Sequence, residues 1–271
     1  MNSNNNLEKI RQEVVEAGLT LAHSSMTIGT YGNISQRVDE KYIAITPSGR
    51  DYEQLTAADI VVTDLDGTVQ KIEPADAAQV IEALCAAQKS IVANAEQRNC
   101  VKDTVSNEGN DGNDGNVAVS LRPSSELPLH LEIYKTFPEA RAIVHTHSVY
   151  ASALAVAHKD LPPVIEDLTQ IVGGAVRCTE YTIAGTKLLG EKAVEAMQGG
   201  RSAALLANHG AVCWGRNSKE ALATAQILEK AAQIYCVAHS FGTPFPLNEK
   251  TVNTLHDFYL NHYSKRQRGE E

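Results

Sequence analysis

Three histidines carry the chemistry that this sequence suggests first. His145 and His147 are separated by one residue in the run I-V-H-T-H-S-V, and residues two apart in a β-strand point to the same face. His209 lies in L-A-N-H-G, where a polar pair and a glycine interrupt an apolar run. A catalytic zinc needs three protein ligands and one open position, and imidazole is a common ligand. The three histidines are therefore candidate ligands of Zn²⁺ or another divalent metal.

Glu126 stands in a segment suited to acid/base and anion-binding chemistry. The segment reads R-P-S-S-E-L-P and precedes a run with apolar residues at helical spacing, so Ser124 and Ser125 lie where a helix begins. A serine there satisfies free backbone N–H groups, and a helix N-terminus attracts anions. His130, one helical turn beyond Glu126, is a candidate for orienting the groups that touch a metal.

Two glycine-bearing loops lie earlier in the chain. The first, T-I-G-T-Y-G-N-I-S, contains Gly32 and Asn33, and the second, I-T-P-S-G, contains Ser48 and Gly49. The bare backbone N–H groups of such loops can approach an anion. Taken alone, however, the first loop is better explained as a plain turn between a helix and a strand.

The run I-V-V-T-D-L-D-G-T-V-Q-K-I has two competing interpretations. An apolar strand followed by D-x-D-G-T-V resembles the motif of haloacid-dehalogenase-type phosphatases, with Asp64 as nucleophile and Asp66 as general acid. Those enzymes also need a later acidic pair for magnesium, for which Glu166-Asp167 is a poor counterpart. Asp66-Gly67 is also a favoured turn dipeptide between two β-prone runs, and we predict a β-hairpin there.

Composition limits the classes of protein to which the chain can belong. Its 271 residues are 43% hydrophobic and 21% charged, which is ordinary for a globular protein with a substantial core. The net charge of −9 argues against nucleic acid or an anionic membrane as partners. The five cysteines are never spaced C-x-x-C, and no apolar run is long enough for a signal peptide or a membrane span. We therefore expect a cytoplasmic protein with reduced thiols.

Alternating helices and strands surround these motifs and predict an α/β or α+β fold without internal repeats. Hydrophobic periodicity and turn signals set the expected elements. The predicted helices are 7–26, 75–98, the run after Ser125, 150–157, 186–197 and 218–239. The predicted strands are 42–46, 140–146 and 202–214, the last interrupted at 208–210. We expect a mobile loop at 102–116, irregular chain with a glycine turn at 162–176, and a short helix or arm at 258–271.

Taken together, the motifs resemble those of the class II aldolase/adducin family. S-S-E, I-V-H-T-H and L-L-A-N-H-G are similar to its acid/base and metal motifs, and Y-G-N-I-S and I-T-P-S-G look like its two phosphate loops. Their order and approximate spacing agree over residues 7–72 and 122–239. The resemblance implies a three-layer α/β/α fold with a central, mainly antiparallel sheet. It also implies a single domain over 1–271, with an inserted helix and flexible loop at about 74–121.

The resemblance implies a role for each matching residue. The substrate phosphate would be bound by Gly32, Asn33, Ser48, Gly49, Ser124 and Ser125. The metal would be bound by His145, His147 and His209. Glu126 would be the acid/base and would also touch the metal when substrate is absent. Tyr259 or Tyr263 would supply the family's C-terminal tyrosine to a neighbouring subunit of a homotetramer.

The implied reaction is cleavage of a ketose 1-phosphate, such as L-fuculose 1-phosphate, to dihydroxyacetone phosphate and an aldehyde through a metal-stabilised enediolate. The alternative is a 4-epimerase of L-ribulose 5-phosphate, or a related decarboxylase or dehydratase. Family epimerases usually have aspartate in place of Glu126, which favours the aldolase. The segment 165–168 lacks the aromatic residue of fuculose-phosphate aldolases, so it leaves the aldehyde undetermined. An adducin-like structural protein would lack the metal histidines.

Overall fold

A six-stranded antiparallel sheet forms the centre of the computed structural model, which describes residues 3–70 and 121–270. Its strand order is β3-β2-β1-β4-β6-β5. The pairings of β4 with β1 and with β6 join the N-terminal and C-terminal parts of the chain. The strands are β1 (Asn33–Arg37), β2 (Tyr42–Ile45), β3 (Val61–Asp64), β4 (Ala142–Thr146), β5 (Ala203–Leu206) and β6 (Gly210–Gly215).

Helices cover both faces of this sheet. They are α1 (Ser3–His23), α2 (Leu127–Thr136), α3 (Val149–Val156), α4 (Glu166–Val172), α5 (Lys187–Met197), α6 (Ser218–Ala238), α7 (Glu249–Phe258) and α8 (Ser264–Gln267). A π-helical turn, Tyr259–Tyr263, joins α7 to α8. None of these described helices combines the length and the apolar character that crossing a membrane requires.

The residues of β4 show how the three layers form. Ala142 and Val144 belong to a core that also contains buried residues of α1, α3, α4 and α6. Ile143 belongs to a second core, which contains buried residues of α2 and α5. Because successive side chains of a strand point to opposite faces, one strand supplies both cores. The predicted α/β/α architecture with a mainly antiparallel sheet is confirmed.

The segment after β3 forms the predicted hairpin. The Asp64 N–H donates to the Thr68 carbonyl at 3.0 Å, and the Gly67 N–H donates to the Asp64 carbonyl at 3.1 Å. The Asp64 carboxylate accepts the N–H groups of Asp66 and Thr68 at 3.0 and 2.9 Å, which is how aspartate commonly closes a turn. The phosphatase interpretation needs the Asp64 carboxylate as a free nucleophile. Here the carboxylate accepts the hydrogen bonds that close the turn, which supports the hairpin interpretation.

One expected element is wrong, because residues 162–176 contain a helix rather than irregular chain throughout. Helix α4 has Glu166 and Asp167 in its first turn, where acidic side chains stabilise a helix by interacting with the positive end of its dipole. It ends at Gly173, whose φ of 85° is left-handed and whose N–H donates to the Thr169 carbonyl. The tail was predicted to be a short helix or an arm, and it is helical, with the π-helical turn and α8; α7 is an additional helix. The predicted helix 75–98 and loop 102–116 lie outside the described residues.

Candidate metal centre

His145 and His147 lie at the end of β4 and face the same side. The His145 Nδ1 is 2.9 Å from the Ala211 carbonyl oxygen, which can only accept, so Nδ1 carries the proton. The Nε2 atom of His145 then presents its lone pair, as a metal ligand must. It lies 2.9 Å from Nε2 of His147. The predicted shared face is confirmed.

The turn between β5 and β6 brings His209 to these two side chains. Asn208 adopts a left-handed conformation, with φ of 54°, and its Oδ1 accepts a hydrogen bond from Nε2 of His158 at 2.6 Å. Gly210 then begins β6 so close to β4 that a Cβ atom on it would lie 2.2 Å from the Thr146 carbonyl oxygen. The glycine therefore allows the two backbones to approach, and this approach places His209 beside the end of β4.

The three imidazoles form a group that can hold a divalent metal ion. One ring nitrogen from each of His145, His147 and His209 lies within 4.8 Å of the others, and the ring centroids are 4.7 to 4.9 Å apart. A tetrahedral zinc ion with Zn–N bonds of about 2.0–2.1 Å needs ligand nitrogens roughly 3.4 Å apart. Small side-chain rotations reach that spacing, so the donor set fits the predicted metal.

Glu126 supplies a carboxylate to the same group. Its Oε2 lies 2.9 Å from Nε2 of His145, its Oε1 lies 3.2 Å from Nε2 of His209, and Nδ2 of Asn33 donates to Oε2 at 3.0 Å. Burial alone would raise the pKa of Glu126, but His145, His209 and the Asn33 hydrogen bond together hold it well below its ordinary value. The carboxylate is therefore ionised and ready to accept a proton or a cation.

The other two histidines are held in the form that binds metals. Burial, with a smaller effect of His145, lowers the pKa of His147 to about 4, and the same causes lower the pKa of His209. A metal ligand must be a neutral imidazole, so these shifts favour binding at neutral pH. The buried Nδ1 of His209 has no hydrogen-bond partner among the described residues.

Two segments that are predicted to bind the substrate phosphate, I-T-P-S-G and R-P-S-S-E, lie side by side next to Glu126. The Ser48 N–H donates to the Arg122 carbonyl at 2.9 Å, and the Ser124 N–H donates to the Thr46 carbonyl at 3.0 Å. Ser124 is buried, and its hydroxyl accepts the Glu126 N–H at 3.3 Å. Of the predicted phosphate-binding residues in these loops, Ser48, Gly49 and Ser125 are exposed to solvent.

The remaining predicted phosphate-binding segment, the loop Y-G-N-I-S, contacts Glu126 directly through Asn33. Gly32 has a φ of 77°, and a Cβ atom on it would lie 2.8 Å from the His145 carbonyl oxygen, so glycine lets this loop approach β4. The Asn33 amide is used inside the protein, because Nδ2 donates to Glu126 and Oδ1 lies 2.5 Å from Nε2 of His130. The phosphate-binding role of Asn33 stays a prediction.

The two tail tyrosines have different environments. Tyr259 is buried, and its hydroxyl donates to Oε1 of Glu220 in the same chain at 2.8 Å. Tyr263 is 46% exposed. Of the two, Tyr263 is therefore the one with a ring accessible to a neighbouring subunit, and that role stays a prediction.

Tyr31, the first residue of the motif Y-G-N-I-S, lies beside His147, although no role was predicted for it. Its ring centroid lies 5.6 Å from that of His147, and 65% of the residue is exposed. It lies between Gly29 and Gly32, both of which have positive φ. The sequence feature that could have pointed to Tyr31 is its position as an aromatic residue within the glycine-bearing loop.

Comparison with known proteins agrees with this geometry. The family model described as Class II Aldolase and Adducin N-terminal domain matches residues 12–236. A 5-deoxy-D-ribulose 1-phosphate aldolase from Bacillus thuringiensis serovar kurstaki is 34% identical over 250 residues, covering 92% of this chain and 94% of the relative. An L-fuculose phosphate aldolase from Escherichia coli is 26% identical over 239 residues, covering 88% of each. A solved structure of an L-fuculose 1-phosphate aldolase is 30% identical, with a TM-score of 0.72 and coverage of 93% and 96%.

Proposed function

The chain belongs to the class II aldolase and adducin family, and we propose that it is a metal-dependent lyase that cleaves a ketose 1-phosphate to dihydroxyacetone phosphate and an aldehyde. The observation that carries this proposal is the convergence of three imidazoles on the carboxylate of Glu126. A member of the family with a purely structural role would not need three imidazoles and a carboxylate at one place. The names of the Bacillus thuringiensis relative and of the similar solved structure support a ketose 1-phosphate as substrate.

The proposed metal ligands are His145, His147 and His209, with Glu126 as a further donor when no substrate is bound. Zn²⁺ or another divalent ion held there would supply Lewis-acid polarisation of the substrate carbonyl. The protein prepares these ligands in advance. The Ala211 carbonyl fixes the tautomer of His145, and burial keeps the other two imidazoles neutral.

Glu126 is the proposed acid/base. Cleavage breaks the bond between C3 and C4 of the ketose: the C4 hydroxyl gives its proton to water, C4 becomes the aldehyde carbon, and the electron pair stays with the three-carbon half. A proton must then reach C3. In the condensation direction the ionised Glu126 takes this proton from the carbon that becomes C3; in cleavage Glu126 accepts a proton from water and delivers it to C3.

The substrate phosphate is proposed to lie against the three loops around Glu126. With a chain charge of −9, binding of a phosphate depends on local donors. Backbone N–H groups and hydroxyls at the start of α2 and in glycine loops provide such donors. The proposed residues are Gly32, Asn33, Ser48, Gly49, Ser124 and Ser125.

Product analysis tests the proposed reaction. The zinc-loaded protein is incubated with 5-deoxy-D-ribulose 1-phosphate, L-fuculose 1-phosphate or L-ribulose 5-phosphate, and dihydroxyacetone phosphate is measured with a coupled reductase. We expect it to form from at least one of the 1-phosphates, and Glu126→Gln to lower kcat by about 10²–10⁴-fold. His23→Ala is the control, since His23 is exposed and bonds Glu53 away from the site. An epimer of L-ribulose 5-phosphate, with no cleavage of either 1-phosphate, would contradict the proposal.

A further inference from the structure

A continuous line of buried hydrogen bonds runs from Glu126 into the core. Asn33 Nδ2 contacts Glu126 Oε2 at 3.0 Å, and Asn33 Oδ1 contacts His130 Nε2 at 2.5 Å. His130 Nδ1 contacts the Ser35 hydroxyl at 2.6 Å, and that hydroxyl contacts the Tyr134 hydroxyl at 2.8 Å. All five residues are buried, and His130 and Ser35 are completely so.

The hydrogen-bond line forms because four residues of α2 and two residues of β1 span nearly the same distance. Glu126, His130 and Tyr134 are spaced four apart, which places them along one face of α2. Asn33 and Ser35 are spaced two apart, which places them on one face of β1. Four helical residues rise about 6 Å and two strand residues about 6.6 Å, so polar side chains from the two elements alternate along the contact.

The hydrogen bonds fix the position of every proton in the line. Asn33 Nδ2 donates to the carboxylate oxygen of Glu126, so Asn33 presents Oδ1 to His130. A carbonyl oxygen can only accept, so the proton of His130 is on Nε2. Burial, with a smaller effect of His145, lowers the pKa of His130 to about 3, so its Nδ1 carries no proton. The Ser35 hydroxyl therefore donates to Nδ1, and the Tyr134 hydroxyl donates to Ser35.

We propose that Asn33, His130 and Ser35 are positioning residues that hold the Glu126 carboxylate in its working orientation. His130 fixes the Asn33 amide so that an N–H group faces Oε2 of Glu126. Oε1 then stays on the side of His209, towards the metal group. This inference rests on the proposed acid/base role of Glu126, and it adds three residues that act through Glu126 without touching the substrate's reacting atoms.

Loss of the His130 N–H has a specific consequence. The Asn33 amide can then turn over, which brings its carbonyl oxygen against the ionised Glu126. The carboxylate must move away from that oxygen, and a displacement of about 1 Å at a catalytic group can lower a rate by about 100-fold. Five of the six proposed phosphate-binding residues take no part in this movement, namely Gly32, Ser48, Gly49, Ser124 and Ser125, so kcat should change far more than KM.

Two substitutions of His130 separate positioning from packing. Gln can place an amide N–H near the position of Nε2, and Leu fills a similar volume without a donor. We expect His130→Gln to keep kcat within tenfold of wild type and His130→Leu to lower it about 100-fold, with KM within threefold in both. His256→Leu is the matched control, because His256 also bonds a carbonyl oxygen, in its case the backbone carbonyl of Gln170, and takes no part in the hydrogen-bond line. Equal kcat values for the two His130 variants would overturn the inference.

The tautomer of His130 gives a readout that does not depend on activity. In zinc-loaded protein with ¹⁵N in the histidine rings, the His130 signals are those missing from the His130→Gln spectrum. We expect a protonated Nε2 and an unprotonated Nδ1 at pH 7; a proton on Nδ1 would overturn the inference. If wild type cleaves no ketose phosphate but shows the expected tautomer, the proposed function fails and the hydrogen-bond line stands. If wild type cleaves but both His130 variants match it, only the inference fails.

Discussion

Replacing Gly210 with alanine is expected to disrupt the metal group without changing any of its ligands. Gly210 follows His209 and lies against the end of β4, where a Cβ atom would be 2.2 Å from the Thr146 carbonyl oxygen. Real Cβ atoms essentially never come closer than 3.0 Å to another atom, and here the obstructing atom is backbone. The turn that carries His209 must therefore move away from β4, which carries His145 and His147.

The size of the effect follows from this distance. Relief of the clash requires a shift on the order of 1 Å, and overpacking of this kind costs about 1–3 kcal/mol of folding free energy. For a domain of this size, each kcal/mol lowers Tm by roughly 2–4 °C. A misplacement of about 1 Å at the site lowers turnover about 100-fold. Gly210→Ala should therefore melt several degrees lower and lose most of its activity.

Gly200→Ala separates this effect from the general cost of replacing a glycine. Gly200 has a φ of 82° but nothing within 4 Å of an added Cβ, so its substitution strains the backbone without a collision. Both variants are compared by differential scanning calorimetry, by zinc titration and by cleavage of a ketose 1-phosphate. We expect Gly200→Ala to lower Tm only. Wild-type zinc affinity and turnover in Gly210→Ala would refute the reasoning from the Thr146 contact.

Three further measurements test other parts of the structure. Glu229→Ala should lower the free energy of unfolding by about 1–2 kcal/mol in urea titrations, because the carboxylate accepts the N–H groups of Tyr150 and Ala151 at the start of α3, both at 2.9 Å; an unchanged midpoint would show that this cap contributes nothing. Burial lowers the folded-state pKa of His130 to about 3, below its value of about 6.5 in the unfolded chain. As pH falls below about 6.5, the unfolded state therefore binds a proton that the folded state does not, and the free energy of unfolding decreases. Between pH 6 and 4, wild type should lose about 1.4 kcal/mol per pH unit more than His130→Gln, and parallel curves would contradict that shift. Sedimentation velocity should show a tetramer; a fully active monomer would exclude a role for Tyr263 in a neighbouring site.

Local signals in the sequence predicted much of the site. The alternation in I-V-H-T-H requires His145 and His147 to share a face, whatever lies beside the strand. Asp66-Gly67 specifies a turn through its own backbone preferences. The short helix α4 was missed although its acidic first turn and the following Gly173 are both helix signals. A helix of this length has too few turns for hydrophobic periodicity to be visible.

Contacts between distant segments were not predictable from the same signals. The role of Asn33 shows why: its motif indicates a phosphate loop, but its side chain bonds Glu126, a residue 93 positions later in the chain. That contact depends on how α2 packs against β1, which hydrophobic patterning does not specify. The spacing E-x-x-x-H-x-x-x-Y in α2 was visible, but its meaning required knowledge of which strand lies opposite.

Zinc titration of chelator-treated protein tests the central claim most directly. With 5-deoxy-D-ribulose 1-phosphate or L-fuculose 1-phosphate as substrate, we expect no dihydroxyacetone phosphate without metal. Its rate of formation should rise with added Zn²⁺ and level off at one ion per chain. His145→Ala and His209→Ala should stay inactive at every zinc concentration while still unfolding cooperatively. Full cleavage by metal-free wild type, or by either histidine variant, would contradict a metal site built from these residues.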